Sequence, residues 1–119
     1  TMESMFAWGK FDGDIYTWDV SNVKNMNGMF YYSKFNGDIS QWNVSNVTDM
    51  GGMFSGSNFN NDSICKWDVS NVKIMKYMFS ISKFNQNISM WEINPNCNTY
   101  NMFYDSKIKK EFLPQGVSI

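Results

Sequence analysis

Any chemistry in this chain must come from carboxylates, amines, amides, hydroxyls, sulfur groups or aromatic rings, because none of its 119 residues is histidine. The commonest general base and metal ligand near neutral pH is therefore missing. No Gly-x-Ser-x-Gly, Cys-x-x-Cys or phosphate-binding glycine loop occurs. The carboxylates and lysines are scattered over variable positions, so the chain reads as a non-enzyme with no catalytic residues, cofactor or metal. The strongest rival is a cation site. Asp12-Gly13-Asp14, Asn36-Gly37-Asp38, Asn60-Asn61-Asp62 and Asn85-Gln86-Asn87 recur, and repeated glycine-rich Asp turns bind calcium in some β-rolls. Such a site needs carboxylates in register, yet their number falls from two in the first turn to none in the fourth. A tight turn in which Asn, Gly and Asp satisfy their own backbone explains the pattern better.

Two further columns could bind sugars. Asn22, Asn46 and Asn71 recur, and so do Trp18, Trp42, Trp67 and Trp91. Their regularity favours a structural role: amides bonding the backbone of neighbouring units, and indoles packed in a core. Cys65 and Cys97 stand at different places in their units, so a disulfide is not expected. Four N-x-S/T sequons, at Asn43, Asn46, Asn61 and Asn87, read as by-products of an Asn/Ser-rich repeat.

These columns exist because one pattern is repeated five times. Met-Phe pairs stand at 5–6, 29–30, 53–54, 78–79 and 102–103, spaced by 24, 24, 25 and 24 residues. Phe11, Phe35, Phe59 and Phe84 form one apolar column, and Ile15, Ile39, Ile64 and Ile88 the next. The single inserted residue of the third unit lies near Ser63. Units this small cannot bury a core alone and must stack. The units are 5–28, 29–52, 53–77 and 78–101, with 102–119 a terminal partial repeat and cap, all in one domain. Val47, Met50, Met53 and Phe54 fall on one face of a short helix or 3₁₀ turn, with Ser45 (like Ser21 and Ser70) as an N-cap. Trp42-Asn43-Val44 alternates and, with Ile39, predicts a short strand. The expected fold is an α/β solenoid, leucine-rich-repeat-like, of about five coils. Stacked at about 4.8 Å, they would form a rod on the order of 24 Å long. The chain opens in mid-unit, which suggests a piece of a longer protein. Asn94-Pro95-Asn96 interrupts the fourth unit, and residues 94–119 read as the closing cap, with Phe112 and Leu113 covering the last coil.

The run Phe-Asn-x-Asp-Ile-Ser-x-Trp-Asn/Asp-Val-Ser-Asn-Val-x-x-Met-x-x-Met-Phe resembles the BspA-like bacterial surface-protein repeat over residues 2–103. That repeat is carried by Mycoplasma-type lipoproteins, by Listeria and Lactobacillus surface proteins and by some giant viruses. The resemblance implies a leucine-rich-repeat-like solenoid and a surface or interaction role, at a cell surface, outside the cell or on a virion. It implies no activity.

A net charge of −1 offers no field for nucleic acid, and no apolar run approaches the roughly 20 residues of a membrane span. With 43% hydrophobic and 18% aromatic residues the chain can build a core, which excludes disorder. The expected function is a scaffold that binds a protein partner or itself. Candidate contacts are variable positions beside the constant core. Trp8, Tyr31 and Tyr32 follow Met-Phe, and Tyr16, Thr17, Ser40, Gln41, Lys66 and Met90 lie between the Ile and Trp columns. Alternatives are a coat, capsid or envelope component packed through its ends, and calcium or carbohydrate binding at the Asp/Asn turns.

Overall fold

Each unit opens with a ribbon of consecutive tight turns, seen here in a computed structural model that describes residues 1–118. Over residues 26–33 the N–H groups of Met29, Tyr31 and Ser33 donate to the carbonyls of Met26, Gly28 and Phe30, at 3.2, 3.0 and 3.0 Å. The N–H groups between them point the other way. Those of Met26, Gly28, Phe30 and Tyr32 donate to Asp49, Gly51, Met53 and Ser55 of the next unit, each at 2.9 Å. The same alternation repeats from unit to unit, so consecutive units lie in register as layers. Single parallel bridges join Asn25 to Asp49, Asp49 to Ile74 and Ile74 to Asn98. We number the layers 1 to 5, starting at residues 1, 25, 49, 74 and 98.

This arrangement overturns the expected α/β, leucine-rich-repeat-like solenoid. Among the described residues there is no α-helix, no strand and no sheet, only 3₁₀ turns at Asp62–Ile64 and Lys110–Phe112 and those isolated bridges. An α-helix spends its N–H groups inside itself. Here every second one goes to the neighbouring layer, so the apolar spacing of Val47, Met50, Met53 and Phe54 is met by linked turns. Ser45 accordingly caps no helix; its N–H and hydroxyl both donate to Asn43 Oδ1, at 3.0 and 2.6 Å. No strand forms at 39–44, because the Trp42 N–H closes a turn on the Ile39 carbonyl, at 3.2 Å. The shape is a compact globule of 32 × 26 × 20 Å with a radius of gyration of 12.7 Å, not a rod.

The core is built from the apolar columns. Phe30, Phe54, Phe79 and Phe103 stack at 5.5, 5.6 and 5.5 Å between ring centroids. Phe35, Phe59 and Phe84 form a parallel stack, at 6.2 and 6.1 Å. Ile39, Ile64 and Ile88 and the methionines at 26, 29, 50, 53, 75 and 78 are also fully buried. The extra residue of the third unit is absorbed in the 3₁₀ turn, where Ser63 Oγ accepts the Ile39 N–H of the layer before, at 3.2 Å. At the far end Phe112 and Leu113 pack against the core, and the Phe112 carbonyl accepts the Ile88 N–H at 3.1 Å. Ile119, the last residue of the expected cap, lies outside the described residues.

Candidate functional site

The turn ribbon requires a left-handed backbone at two places per unit. One column is Ser4, Gly28, Gly52, Tyr77 and Asn101, with φ of 55, 64, 62, 60 and 48°. The other is Trp8, Tyr32, Gly56, Ile81 and Asp105, with φ of 59, 51, 66, 56 and 52°. Positive φ at the third residue of a four-residue turn is the type II geometry, which favours Gly or Asn. A residue with a Cβ costs about 1–2 kcal/mol there, and a bulky or β-branched one is uncommon. Trp8, Tyr32, Tyr77 and Ile81 accept that cost while 72, 38, 39 and 49% exposed, so little burial offsets it. These strained, exposed side chains make this surface the candidate site.

Those side chains give the outer face its relief. Trp8 stacks flat on Tyr32 (4.8 Å, 6°), and Tyr31 stands edge-on to both, at 5.2 and 4.8 Å. The Tyr32 ring lies over Gly56, where an added Cβ would come within 2.6 Å of it. On the other side Tyr77 meets Tyr100 edge-on at 5.6 Å, with Ile81 nearby. Between the two walls Gly28 and Gly52 leave an open cleft of about 760 Å³, floored also by Ala7 and Ser55. Lys76 is the one charged side chain lining it.

The structure thus brings Trp8, Tyr31 and Tyr32 together, with Trp8 and Tyr31 lining the cleft. It places Tyr16, Thr17, Ser40, Gln41, Lys66 and Met90 elsewhere: all are exposed, and Ser40, Gln41 and Lys66 line a separate shallow hollow. Sequence reasoning missed Gly52, Lys76 and Tyr77. The available signal was one repeat position held by Ser, Gly, Gly, Tyr and Asn in turn, a mixture in which glycine and asparagine mark a left-handed backbone.

The structural columns are also visible. Trp42, Trp67 and Trp91 are buried and donate Nε1–H to the carbonyls of Ile15, Ile39 and Ile64 in the preceding layer, at 3.0, 3.2 and 3.0 Å. Trp18, in layer 1, is 38% exposed. Asn46 and Asn71 donate Nδ2–H to the Ser21 and Ser45 carbonyls, at 2.7 and 2.8 Å, while Asn22 is exposed. A second ladder went unforeseen. Oδ1 of Asp12, Asn36, Asn60 and Asn85 each accepts a backbone N–H one layer on, from Asn36, Asn60, Asn85 and Lys109. Those oxygens serve the stack. Asp14 and Asp38 instead hold local turns by accepting the N–H two residues on.

Electrostatically the surface is quiet. The Ser21 hydroxyl and N–H hold the Asp19 carboxyl below its usual range, and Ser70 does the same for Asp68. The Ser40 N–H, then its hydroxyl, lowers Asp38. Burial pushes both thiols up, Cys65 with help from the Asp62 charge, which makes them poor nucleophiles. Among the described residues no cluster of three or more His, Cys, Asp or Glu could hold a metal ion, and no helix is long and apolar enough to cross a membrane.

A family model described as Mycoplasma protein of unknown function, DUF285, matches residues 1–114. No curated protein and no solved structure matches the chain.

Proposed function

From the premise that the chain belongs to the Mycoplasma protein family of unknown function DUF285, we propose that it is a non-catalytic interaction module that binds a protein partner through its turn-ribbon face. The observation that carries this reading is the aromatic cluster in which the strained, exposed Trp8 and Tyr32 stack on each other with half-buried Tyr31 edge-on to both. Large aromatic side chains with accessible faces are what protein interfaces use as anchors. The absence of histidine and the raised thiols support a role without catalysis. The same reading puts the module on an outer surface, of a cell or a virion. What supports that is the likeness of its repeat to surface-protein repeats.

The test is a double substitution, Tyr31→Ala with Tyr32→Ala. It should weaken capture of a surface or host protein by roughly tenfold or more, as loss of interface anchors does. The thermal melt should stay cooperative. Unchanged capture by a folded variant sinks the reading.

A further inference from the structure

The cleft between the aromatic walls has a charge as well as a shape, and we infer that it takes an acidic peptide segment of a partner protein, with one bulky apolar side chain seated over Gly52. The inference rests on the interaction-module reading and names the chemistry of the partner.

The shape argument starts from Gly52. A Cβ built there meets nothing within 4 Å. One layer on, the equivalent position carries Tyr77 with almost the same φ, 60° against 62°. The backbone therefore accepts a tyrosine at this column, and glycine at 52 leaves room for a guest, while Gly28, where a Cβ would meet Ser4 Oγ at 3.2 Å, lines its edge. That room is bounded by Trp8 and Tyr31 on one side and by Tyr77 and Ile81 on the other. The floor supplies few hydrogen bonds. The ribbon N–H groups of Gly28 and Gly52 already donate to Gly51 and Lys76 carbonyls, at 2.9 Å each. A guest must therefore gain mainly from apolar contact, which fits a hydrophobic side chain better than a sugar.

The charge argument comes from the lysines. Lys76 lines the cleft and is exposed, and no carboxylate lines it. Two residues beyond the Trp8/Tyr32/Gly56/Ile81 column runs a row of equivalent positions: Lys10, Lys34, Asn58, Lys83 and Lys107. All four lysines are exposed, and none of them lines the cleft itself. Layers about 4.8 Å apart set Lys34 and Lys83 on the order of 10 Å from each other, flanking the neutral third layer. The carboxylates Asp14, Asp38 and Asp62 stand four residues further along each unit. Lys76 thus gives the cleft one positive charge and its lining no negative one, which is complementary to a carboxylate beside an apolar anchor.

Selection of displayed random linear peptides against the whole chain tests this, with Gly52→Tyr and Lys76→Glu as parallel targets. Support is enrichment of peptides that combine Asp or Glu with a bulky apolar residue. Synthetic versions should lose binding to Gly52→Tyr and bind Lys76→Glu roughly tenfold more weakly. A cooperative melt checks that Gly52→Tyr is folded, and the exposed Lys76→Glu keeps the test valid if it is not. Enriched peptides that are neutral or basic and indifferent to Lys76→Glu overturn the acidic partner while leaving a protein-binding cleft. Peptides indifferent to Gly52→Tyr overturn the cleft and leave partner binding elsewhere. No enrichment, or binding of neutral glycans that Gly52→Tyr blocks, overturns the inference and removes support from the module reading itself.

Discussion

The inner and outer faces of the turn ribbon obey the same backbone and differ in everything else. Inward positions hold Met and Phe in almost every layer, and from layer 2 onward all of them are buried. Outward, the left-handed columns range from glycine to tryptophan at nearly constant φ. The difference teaches that the repeat fixes the backbone and core strictly and leaves the outer side chain free, even when a bulky one is strained. Variation that costs stability without adding to the core is what the proposed interaction role draws on.

The largest break in that comparison should come from inside. Phe54 is fully buried and stacks on Phe30, Phe59 and Phe79 at 5.5, 4.4 and 5.6 Å. Phe54→Ala should cost about 3–5 kcal/mol, read as a drop in the denaturation midpoint. A loss under about 1 kcal/mol would show that the layers do not share one core.

Next come the tryptophans. Trp67→Phe removes one of the two donors to the Ile39 carbonyl, which keeps the Trp42 N–H, and should cost about 0.5–1.5 kcal/mol. Trp18→Phe, at an exposed indole, should stay within about 0.5 kcal/mol. Equal costs would mean that the indole hydrogen bond is not what distinguishes the layers.

The outer face should respond in the opposite direction. Ile81→Gly relieves a β-branched residue at φ 56° and should stabilise by about 0.5–1 kcal/mol, after the entropy of the added glycine is subtracted. Gly52→Ala should destabilise by a similar amount. If Ile81→Gly destabilises, the side chain contributes to packing and the case for its recognition role weakens.

The smallest effect is acid sensitivity. Asp19, Asp38 and Asp68 hold their protons less tightly in the fold than in the unfolded chain. Their stabilisation is therefore present above the ordinary carboxylate range, about pH 4, and is lost as pH falls through their lowered values. These groups are solvent-exposed, so the Tm should fall only slightly on acidification, and less still in Asp19→Asn.

The repeat and its core were legible in the sequence because buried columns must be filled by the same residue types in every layer. Ile39, Ile64 and Ile88 recur for that reason, as do Phe35, Phe59 and Phe84. Local structure was not legible. The spacing of Val47, Met50, Met53 and Phe54 suits a helix and a series of linked turns equally well, since both bring every third residue to one face. The candidate site was half legible. Trp8, Tyr31 and Tyr32 stood out as aromatic variation, but Gly52, Lys76, Tyr77 and Ile81 are scattered in sequence and meet only across layers.

The sequence by itself determined that five units exist, which side chains they bury and where one residue is inserted, because those follow from composition at a fixed period. Only the tertiary structure decided that alternate N–H groups leave their own unit for the next. That choice removes helix and strand together and holds two positions per unit left-handed. It also makes a glycine in one layer the neighbour of a tyrosine in another. Hydrogen bonds between residues some 24 apart carry no local signature, so no reading along the chain could show the cleft they build.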